Sequence, residues 1–356
     1  MTTTHKENPV WAKDCELRAQ GRLGGACAVQ AHGGTLPACQ ATLCEQDGKP
    51  ERLIHAVHLS RPENYLSIYQ SGCNFACRKC HSAEFSQRRT GRWYTVEDLV
   101  EICRDYERAV TLVEPRPKAT SWHAGETCLC CGCCVAGEPR PATCPGVVEP
   151  KQIVLSPQGF GPARNIVAFT GGDLTCRPRF YVEFARRVKR DTKLWVLIET
   201  NGWGLTPKNL DLFQDAGVDS FWLDIKAYDE KVHEWLTGCT NRWILELPKE
   251  ILRRGFVLEI LSLYIPGLVE TDQLKRIAGL LCSAGEEIPF TILAFFPEHE
   301  MKSFRAPTTD EMIDAYTAAV DAGLRHVHLG NIGVFAKTPV DVERVLEVTG
   351  VVGPRK

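Results

Sequence analysis

Three cysteines stand close together in one short stretch of the sequence. Cys73, Cys77 and Cys80 lie within Ser-Gly-Cys-Asn-Phe-Ala-Cys-Arg-Lys-Cys-His, residues 71 to 81. Gaps of three and two residues allow one loop to hold three corners of a cubane iron–sulfur cluster. The fourth iron then has no protein ligand and can bind a small molecule. The spacing therefore predicts a [4Fe-4S] cluster with one reactive iron.

Zinc is the main alternative for this loop. Structural zinc usually takes four ligands that come as two close pairs. His81 offers a fourth donor, but three cysteines and a histidine within nine residues would strain a tetrahedron. Three ordinary buried cysteines are a further alternative. We prefer the cluster, because it needs only the three thiolates that the spacing supplies.

A second cysteine run occupies residues 127 to 135, and Cys144-Pro145 follows after a gap of nine residues from Cys134. Two-residue gaps and a terminal Cys-Pro are typical of ferredoxin cluster ligands, here with a lengthened last gap. Four thiolates could hold an auxiliary iron–sulfur cluster or a single iron or zinc ion. Cys130 and Cys133 offer a competing register. The predicted auxiliary ligands are Cys128, Cys131, Cys134 and Cys144.

Five further cysteines have spacings that decide little. Cys176 comes three residues after Asp173, where contact with the site and ordinary packing both stay open. For the other four, a metal site, free thiols and core packing are open alternatives. These four are Cys15, Cys27, Cys39 and Cys44.

Composition limits the class of protein. The chain has 356 residues, of which 44% are hydrophobic and 24% charged, which is typical of a soluble globular protein. A net charge of −2 provides no field that would attract nucleic acid or an anionic membrane. The longest apolar stretch, residues 256–269, contains Glu259 and is too short to cross a bilayer.

The cysteine content and the N-terminus predict the compartment. The first residues, Met-Thr-Thr-Thr-His-Lys-Glu-Asn-Pro, are polar and do not resemble a signal peptide. Seventeen cysteines without an export signal favour metal sites over disulfides. We therefore expect a cytoplasmic protein in a reducing, anaerobic cell.

From residue 66 onward, strand-like and helix-like runs alternate. The strand runs are short, nearly continuous in apolar residues and typical of strands buried on both faces of a parallel sheet. The pattern predicts an all-parallel α/β barrel or partial barrel, with functional residues after the carboxyl ends of the strands. The predicted strands are 66–70, 166–172, 194–201, 221–227, 257–265, 290–296 and 326–332. The predicted helices are 96–107, 178–190, 207–216, 271–284 and 309–322.

Unusual polar groups follow four consecutive predicted strands. The three-cysteine loop follows the first, and Gly171-Gly172-Asp173 ends the second. Glu199-Thr200-Asn201-Gly202 ends the third, and Asp224-Ile225-Lys226 ends the fourth. Any one of them alone would indicate only a turn. Their shared position at the carboxyl edge predicts one site.

These motifs resemble the pyruvate formate-lyase activating branch of the radical S-adenosylmethionine (radical SAM) superfamily, over roughly residues 64 to 335. Further similar runs are Asp224 to Asp229 with His233, Leu236-Thr237-Gly238, and Ile265-Pro266-Gly267. The resemblance implies that SAM binds the open iron and that the reduced cluster cleaves it to a 5′-deoxyadenosyl radical. It also implies an electron donor such as ferredoxin or flavodoxin. The implied SAM-binding residues are Gly171, Gly172, Asp173, Glu199, Asn201, Asp224 and Lys226.

Two positions depart from the family pattern. Lys79 stands before the third cysteine, where the family usually has an aromatic residue beside adenine. Glu199 replaces the aspartate of several relatives, which puts a nearby monovalent-cation site in doubt.

A narrower resemblance involves the runs 64–73 and 81–87, the cysteine insertion, 155–164 and 170–176. They resemble a methanogen group that contains the cobalamin-dependent glutamine C-methyltransferase of methyl-coenzyme M reductase. This implies methylation of an unactivated carbon in the reductase alpha subunit, with methylcobalamin as the methyl donor. The alternative is a glycyl-radical enzyme activating protein that removes hydrogen from a backbone glycine.

Cobalamin binding has little direct support in the sequence. No Asp-x-His-x-x-Gly motif and no preceding Rossmann domain is visible. Cobalamin would need a pocket built from the N-terminal segment, the barrel mouth or the C-terminal residues. His299, His326 and His328 are candidate axial ligands, although each also fits an ordinary rim or core histidine.

The predicted domain organisation has three parts. Residues 1–63 form an N-terminal extension with four cysteines, and residues 64–335 form the partial barrel. Residues 114–163 interrupt the barrel as a cysteine-rich metal-binding insertion. Residues 336–356 form a C-terminal helix and tail.

Overall fold

The computed structural model describes residues 14–350 of the chain. Residues 1–13 and 351–356, which include the predicted polar start and part of the predicted tail, lie outside this range. The described part is a mixed α/β structure around a ten-stranded sheet. Two small two-stranded sheets lie beside it.

Fourteen strands are present in the described range. They are β1 (Val29–Ala31), β2 (Gly34–Leu36), β3 (Leu43–Gln46), β4 (Lys49–Leu59), β5 (Leu66–Gln70), β6 (Arg92–Thr95), β7 (Val154–Ser156), β8 (Gly159–Gly161), β9 (Ile166–Gly171), β10 (Trp195–Thr200), β11 (Ser220–Asp224), β12 (Val257–Tyr264), β13 (Phe290–Ala294) and β14 (Val327–Gly330).

The helices lie between the strands, and many are short. They are α1 (Glu16–Ala19), α2 (Ala38–Thr42), α3 (Ala83–Ser86), α4 (Val96–Ala109), α5 (Ala124–Thr127), α6 (Cys133–Ala136), α7 (Arg179–Asp191), α8 (Pro207–Ala216), α9 (Glu230–Thr237), α10 (Leu247–Arg253), α11 (Thr271–Ala284), α12 (Thr309–Asp321), α13 (Ile332–Phe335) and α14 (Pro339–Thr349). Short 3₁₀ turns occupy Arg116–Lys118, Pro150–Gln152 and His299–Met301.

The centre of the large sheet is parallel. The strand order is β14-β13-β12-β11-β10-β9-β5-β4-β3, with β6 paired to β4. Every neighbouring pair from β5 to β14 is parallel. The carboxyl ends of these seven strands therefore meet at one edge, where parallel α/β folds place their ligands.

The seven strands predicted from residue 66 onward form this parallel sheet, as expected, and strands outside that prediction add an antiparallel side. β4 pairs antiparallel with β5, with β3 and with β6. β4 was not predicted from the sequence because it contains charged residues. Two of these, Glu51 and Arg52, are buried and have hydrogen-bond partners. The first 63 residues thus contribute β3 and β4 to the sheet that carries the site.

Local sequence rules explain the helix ends. Thr95 and Asp98 form a reciprocal capping box at the start of α4, which satisfies backbone donors that have no partner in the helix. Thr206 caps α8, and Gly217 ends it with a positive φ of 83°. Between residues 14 and 350 no helix is long and apolar enough to span a bilayer.

Candidate functional site

The three-cysteine loop follows β5 and is held from two sides by backbone hydrogen bonds. The Asn74 N–H donates to the Asp173 carbonyl at 2.9 Å. The Ala76 N–H donates to the Thr237 carbonyl at 3.1 Å, and the Arg78 N–H donates to that of Leu236 at 2.8 Å. The end of β9 and the last turn of α9 therefore fix the path of the loop.

Burial sets the chemistry of its thiols. The Phe75 N–H lies 3.4 Å from Cys73 Sγ, and the Asn201 side-chain amide lies 3.6 Å from the same sulfur. Burial, with a smaller contribution from Asp173, raises the pKa of Cys73 to about 12. Burial also raises the pKa of Cys77. These thiols become thiolates at neutral pH only when a positively charged group, such as the iron of a cluster, stabilises the anion.

Two glycines allow β9 to approach the loop closely. A Cβ on Gly172 would lie 2.2 Å from the Gly72 carbonyl oxygen. Gly171 has a φ of 83°, and a Cβ there would lie 2.5 Å from the Phe85 ring. Both contacts are too short for a side chain, so backbone alone lines this part of the site.

Asp173 is saturated by hydrogen bonds within the protein. Its Oδ1 accepts from the Thr175 N–H at 2.8 Å and from the Thr175 hydroxyl at 2.7 Å. Its Oδ2 accepts from the Thr200 hydroxyl at 2.7 Å and from the Asn201 N–H at 2.9 Å. The four donors occupy the lone-pair positions of the carboxylate. Asp173 thus ties the end of β9 to the end of β10.

Asp224 differs, because one of its oxygens has no protein partner. Its Oδ2 is paired with the Lys226 ammonium, whereas Oδ1 is buried and accepts no hydrogen bond. Burial opposes the charge of Lys226, but Asp224 and Cys77 outweigh it and raise the pKa of that lysine. The Asp224–Lys226 pair therefore presents a cation and an unfilled acceptor beside Cys77.

Glu199 is a buried carboxyl with other acidic residues nearby. It accepts from the Tyr65 hydroxyl at 3.1 Å and from the Thr170 hydroxyl. Burial, opposed by these hydrogen bonds and increased by Glu63 and Glu259, raises the pKa of Glu199 to about 8. A carboxyl that is protonated at neutral pH cannot supply a full negative charge for a cation.

One cavity of about 390 Å³ brings these groups together at the carboxyl edge of the sheet. Its size is in the range of about 300–1,000 Å³ that is usual for small-molecule sites. The predicted residues on its wall are Cys73, Cys77, Cys80, Gly171, Asp173, Glu199, Asn201, Asp224 and Lys226. Gly172 lies behind this wall, against Gly72.

Lys79 has partners that sequence spacing did not identify. Its ammonium lies 2.5 Å from Glu298 Oε2 and 3.7 Å from the centre of the Phe296 ring. Glu298 also lies 3.2 Å from His81 Nδ1. Both new residues follow β13 directly, so their position after the carboxyl end of a strand was the available signal. Phe296 lines the cavity and offers an aromatic face there.

The predicted auxiliary cysteines line a small cavity of about 20 Å³ in the insertion. Cys130 joins them there and Cys133 does not. A hydrogen bond from the Cys130 thiol is the main cause that lowers the pKa of Cys128 to about 6, and Arg61 and Arg140 act in the same direction. The four predicted ligands on this cavity are Cys128, Cys131, Cys134 and Cys144.

Single-ion geometry is not present in the described chain. Within residues 14–350, no three or more His, Cys, Asp or Glu side chains are arranged around one ion position. This applies to the four insertion cysteines and to the three on the loop.

A second cavity, of about 560 Å³, adjoins the first inside the barrel. Trp222, Leu293, Phe296 and Asn331 line both. Its other walls include Trp122 at the start of the insertion, stacked 4.2 Å from His328, and two acids. The acids are Glu63 and Glu259.

Only one of the three candidate axial histidines within the described range faces a barrel cavity. His328 lines the second cavity, and burial lowers its pKa to about 4. His326 hydrogen-bonds Glu287 at 2.8 Å, and His299 hydrogen-bonds Gln87 at 3.1 Å, away from both cavities.

One protein-family model matches part of the chain. The radical SAM superfamily model matches residues 129–281. This stretch contains the motifs after β9, β10 and β11 but begins after the three-cysteine loop. Together with the α/β sheet, the match supports a radical SAM enzyme, for which a [4Fe-4S] cluster and SAM are the implied cofactors.

Two relatives are named as activating enzymes. A protein of Methanocaldococcus jannaschii with the name "Putative glycyl-radical enzyme activating enzyme" is 27% identical over 138 residues, 38% of this chain. The match spans 52% of that relative's length. The isethionate sulfite-lyase activating enzyme of Oleidesulfovibrio alaskensis is 24% identical over 250 residues, which is 64% of this chain and 77% of the relative.

Two solved structures align with parts of this chain. SuiB of Streptococcus suis, bound to its precursor peptide SuiA, has a TM-score of 0.50 at 14% identity. The alignment covers 75% of this chain and 49% of SuiB. A domain of the pyruvate-formate lyase-activating enzyme of Bacteroides vulgatus has a TM-score of 0.40 at 19% identity, over 46% of this chain and 98% of the domain. The SuiB alignment shows a shared fold over three quarters of this chain.

Proposed function

We propose that this protein is a radical SAM enzyme that removes a hydrogen atom from a protein or peptide substrate. The observation that carries the proposal is the single cavity onto which three cysteines, backbone at Gly171, and the Asp224–Lys226 pair all open. When bound, the cluster and SAM supply a 5′-deoxyadenosyl radical able to attack an unactivated carbon. The protein's own residues bind, orient and enclose the two groups.

The donor set fits these cofactors. Cys73, Cys77 and Cys80 supply thiolates for three irons, and burial makes the thiolates of Cys73 and Cys77 costly without a bound metal. The unfilled Oδ1 of Asp224 can accept from the ammonium of SAM, and Lys226 can pair with its carboxylate. Asp173 acts as a brace in this proposal, because its carboxylate is already saturated.

Lys79 replaces the aromatic residue that the resemblance leads one to expect beside adenine. The adjacent Phe296 faces the same cavity, and Lys79 lies against its ring. We propose that Phe296 provides the flat apolar contact for adenine, with Lys79 and Glu298 fixing its position.

The substrate occupies the second cavity in this proposal. Because it adjoins the first through Trp222 and Asn331, a substrate carbon there can approach the radical. Glu63 and Glu259 lie on its wall, and burial raises the pKa of Glu259 to about 8. The carboxyl of Glu259 and a tryptophan face suit the neutral amides of a polypeptide.

Activation of a glycyl-radical enzyme is the first candidate for the reaction. Both relatives carry names of this kind, and no comparison supports methyl transfer. Glycyl-radical activation is therefore placed before C-methylation, which is the reverse of the order expected from the sequence. A flexible glycine-containing loop of the partner enzyme would enter the second cavity, and its Cα hydrogen would be removed.

C-methylation of a protein side chain is the second candidate. It is favoured by the narrower resemblance and by a second cavity larger than the first. Of the cobalamin ligands considered, His328 fits best, since its low pKa keeps the imidazole neutral at pH 7. The glutamine of the methyl-coenzyme M reductase alpha subunit is the substrate that the resemblance implies.

Product analysis separates the two candidates. Anaerobic protein is incubated with SAM and a reductant, and either with a glycyl-radical enzyme or with a glutamine-containing reductase peptide plus cobalamin. Activation gives 5′-deoxyadenosine and a persistent organic radical on the partner. Methylation gives 5′-deoxyadenosine and S-adenosylhomocysteine in comparable amounts and a peptide heavier by one methyl group. Failure to form 5′-deoxyadenosine under either condition would contradict the proposed class.

A further inference from the structure

One buried arginine carries a charge that residues 14–350 do not balance. Arg52 in β4 is 0% exposed. Its Nη2 donates to the Ser71 carbonyl at 3.4 Å, whereas Nε and Nη1 are buried and have no hydrogen-bond partner in that range. The neighbouring carboxylate, Glu51, accepts from the Cys44 thiol at 3.2 Å, and successive residues of a strand point to opposite faces. A buried charge without a partner is costly.

Two other buried arginines show how this chain satisfies such a charge elsewhere. Arg164, also 0% exposed, forms an ion pair with Glu114 and donates to three backbone carbonyls. Arg61 donates to the Asn64 side chain and to four backbone carbonyls. Arg52 departs from this pattern, so its charge is available to a bound anionic group.

Arg52 lies against the start of the three-cysteine loop. The Ser71 carbonyl that it contacts is two residues before Cys73, and two residues of chain span at most about 7 Å. The Ser71 N–H donates to the Leu53 carbonyl at 3.1 Å, so the backbone of β4 is bonded to the same point. The guanidinium is therefore within about 10 Å of the Cys73 backbone.

An aromatic ring and a chain of hydrogen bonds fix the position of this charge. The Arg52 Cζ lies 5.5 Å from the centre of the Tyr181 ring, a distance at which the ring attracts a cation. The Tyr181 hydroxyl donates to Gln70 Oε1 at 2.6 Å. The Gln70 side-chain amide donates to the Gly172 carbonyl at 3.0 Å. The guanidinium is thus connected both to the start of the loop and to the Gly-Gly-Asp motif beside it.

We propose that Arg52 is the buried counter-charge of the cluster held by the three-cysteine loop and that it raises the reduction potential of that cluster. This inference rests on the proposed function, because it requires the cluster to be bound. In a [4Fe-4S] cluster with three thiolates, the sulfides and thiolates outweigh the charge of the irons, so the cluster is anionic. Reduction by one electron adds one more negative charge. A fixed cation nearby therefore stabilises the reduced state more than the oxidised state.

A redox titration of the full chain tests the proposal. Protein reconstituted without oxygen is poised at a series of potentials with dithionite and mediator dyes, and the reduced cluster is measured by electron paramagnetic resonance. Arg52→Gln removes the charge but keeps a side-chain donor, whereas Arg52→Lys keeps the charge. Two unit charges about 10–15 Å apart, at an effective dielectric constant of about 20, change an equilibrium ratio about tenfold.

The two variants should therefore differ. At the midpoint potential of the unaltered chain, the ratio of reduced to oxidised cluster in Arg52→Gln should fall about tenfold, which is a shift of about 59 mV to lower potential for one electron. In Arg52→Lys the ratio should change less than about twofold.

Arg254→Gln is the matched control, because it removes a positive charge from the opposite edge of the sheet. Arg254 precedes the amino end of β12. It is paired with Asp211 at 2.7 Å and with Glu250 at 2.6 Å, so its charge is balanced within the protein. The midpoint potential of this variant should equal that of the unaltered chain.

Urea unfolding of the cluster-free chain gives a readout that needs no bound cofactor. Without the cluster, the charge of Arg52 has no counter-charge among residues 14–350. Arg52→Met replaces it with an apolar side chain, and replacement of a buried charge in this way is often neutral or stabilising. Cluster-free Arg52→Met should therefore be at least as stable as the unaltered cluster-free chain.

Three results would overturn this inference and leave the proposed function in place. They are an unchanged midpoint potential in Arg52→Gln, an equal shift in Arg254→Gln, and a loss of stability or failure to fold in cluster-free Arg52→Met. In each case the unaltered chain still shows a reduced-cluster signal that responds to SAM. Absence of that signal in the unaltered chain would overturn the proposed function and this inference together.

Discussion

The three-cysteine loop and the cysteine-rich insertion use the same ligand type in different surroundings. Backbone bonds from β9 and α9 fix the loop, and all three of its cysteines are partly buried. In the insertion, Cys131 is exposed and the only helices are the four-residue α5 and α6. The difference indicates that the loop is preorganised by the barrel, whereas the insertion depends more on its metal for its shape.

Removing one loop thiolate should have the largest effect. Cys77→Ala leaves two thiolates, which we expect cannot retain the cubane, so SAM cleavage should be abolished. The measurement is 5′-deoxyadenosine formed per chain under reducing, anaerobic conditions, with Cys282→Ser as the control. Full SAM cleavage by Cys77→Ala would contradict the ligand assignment.

Substitution of two aspartates in the site should distinguish a role in protein stability from a role in SAM binding. Asp173→Asn replaces a saturated buried acceptor and should lower the free energy of unfolding by about 3 kcal/mol, the value of one to two hydrogen bonds to a charged group. Asp224→Asn changes a carboxylate with one unfilled oxygen and should weaken SAM binding about tenfold, roughly 1.4 kcal/mol.

Urea unfolding and SAM titration of both variants measure these effects. The expected pattern is a large stability loss in Asp173→Asn and a smaller one in Asp224→Asn. If Asp173→Asn kept its stability and lost only SAM affinity, Asp173 would be a direct ligand and not a brace.

A substitution in the insertion should have a more limited effect. Cys131→Ala should leave the spectrum of the reactive cluster and basal SAM cleavage near their normal values while reducing iron content and modification of the protein substrate. Cys133→Ala is the matched control, because Cys133 lies outside the small cavity that the other cysteines line. Equal effects of the two substitutions would contradict the assigned register.

The smallest effect concerns pH. The pKa of Glu199 is raised to about 8 in the folded protein, and in the unfolded chain it is about 4.3. Between these values the folded state holds one more proton, so stability falls as pH rises from about 5 to 8. Glu199→Gln removes the proton uptake by this carboxyl. The free energy of unfolding should then fall less steeply with rising pH, by up to about 1.4 kcal/mol per pH unit.

Urea unfolding of the protein without added SAM, at pH 6 and pH 8, measures this difference. Glu259 has a pKa raised to about 8 as well, so part of the decline should remain in Glu199→Gln. An unchanged slope would mean that Glu199 is ionised in the folded state.

The sequence predicted the parallel half of the sheet well, for a physical reason. Strands such as β9 are buried on both faces, so their apolar runs and the polar residues that end them are visible without a structure. β4 could not be recognised in the same way, because Pro50, Glu51 and Arg52 lie within it. Their burial depends on partners that only the folded chain supplies, including the Ser71 carbonyl.

The site shows the same limit at the level of single side chains. Spacing identified Asp173 and Asp224 as acids at strand ends, but their different hydrogen bonding depends on Thr175, Thr200 and Lys226. Phe296 and Glu298 follow β13, far along the chain from Lys79, which they contact.

The most direct test of the central claim is electron paramagnetic resonance of anaerobically purified, reduced protein, recorded with and without SAM. A cubane held by Cys73, Cys77 and Cys80 with one open iron should give a reduced-cluster signal whose g values shift when SAM is added. The shift should be absent in Cys77→Ala. Zinc on the loop, with no cluster signal that responds to SAM, would contradict the account.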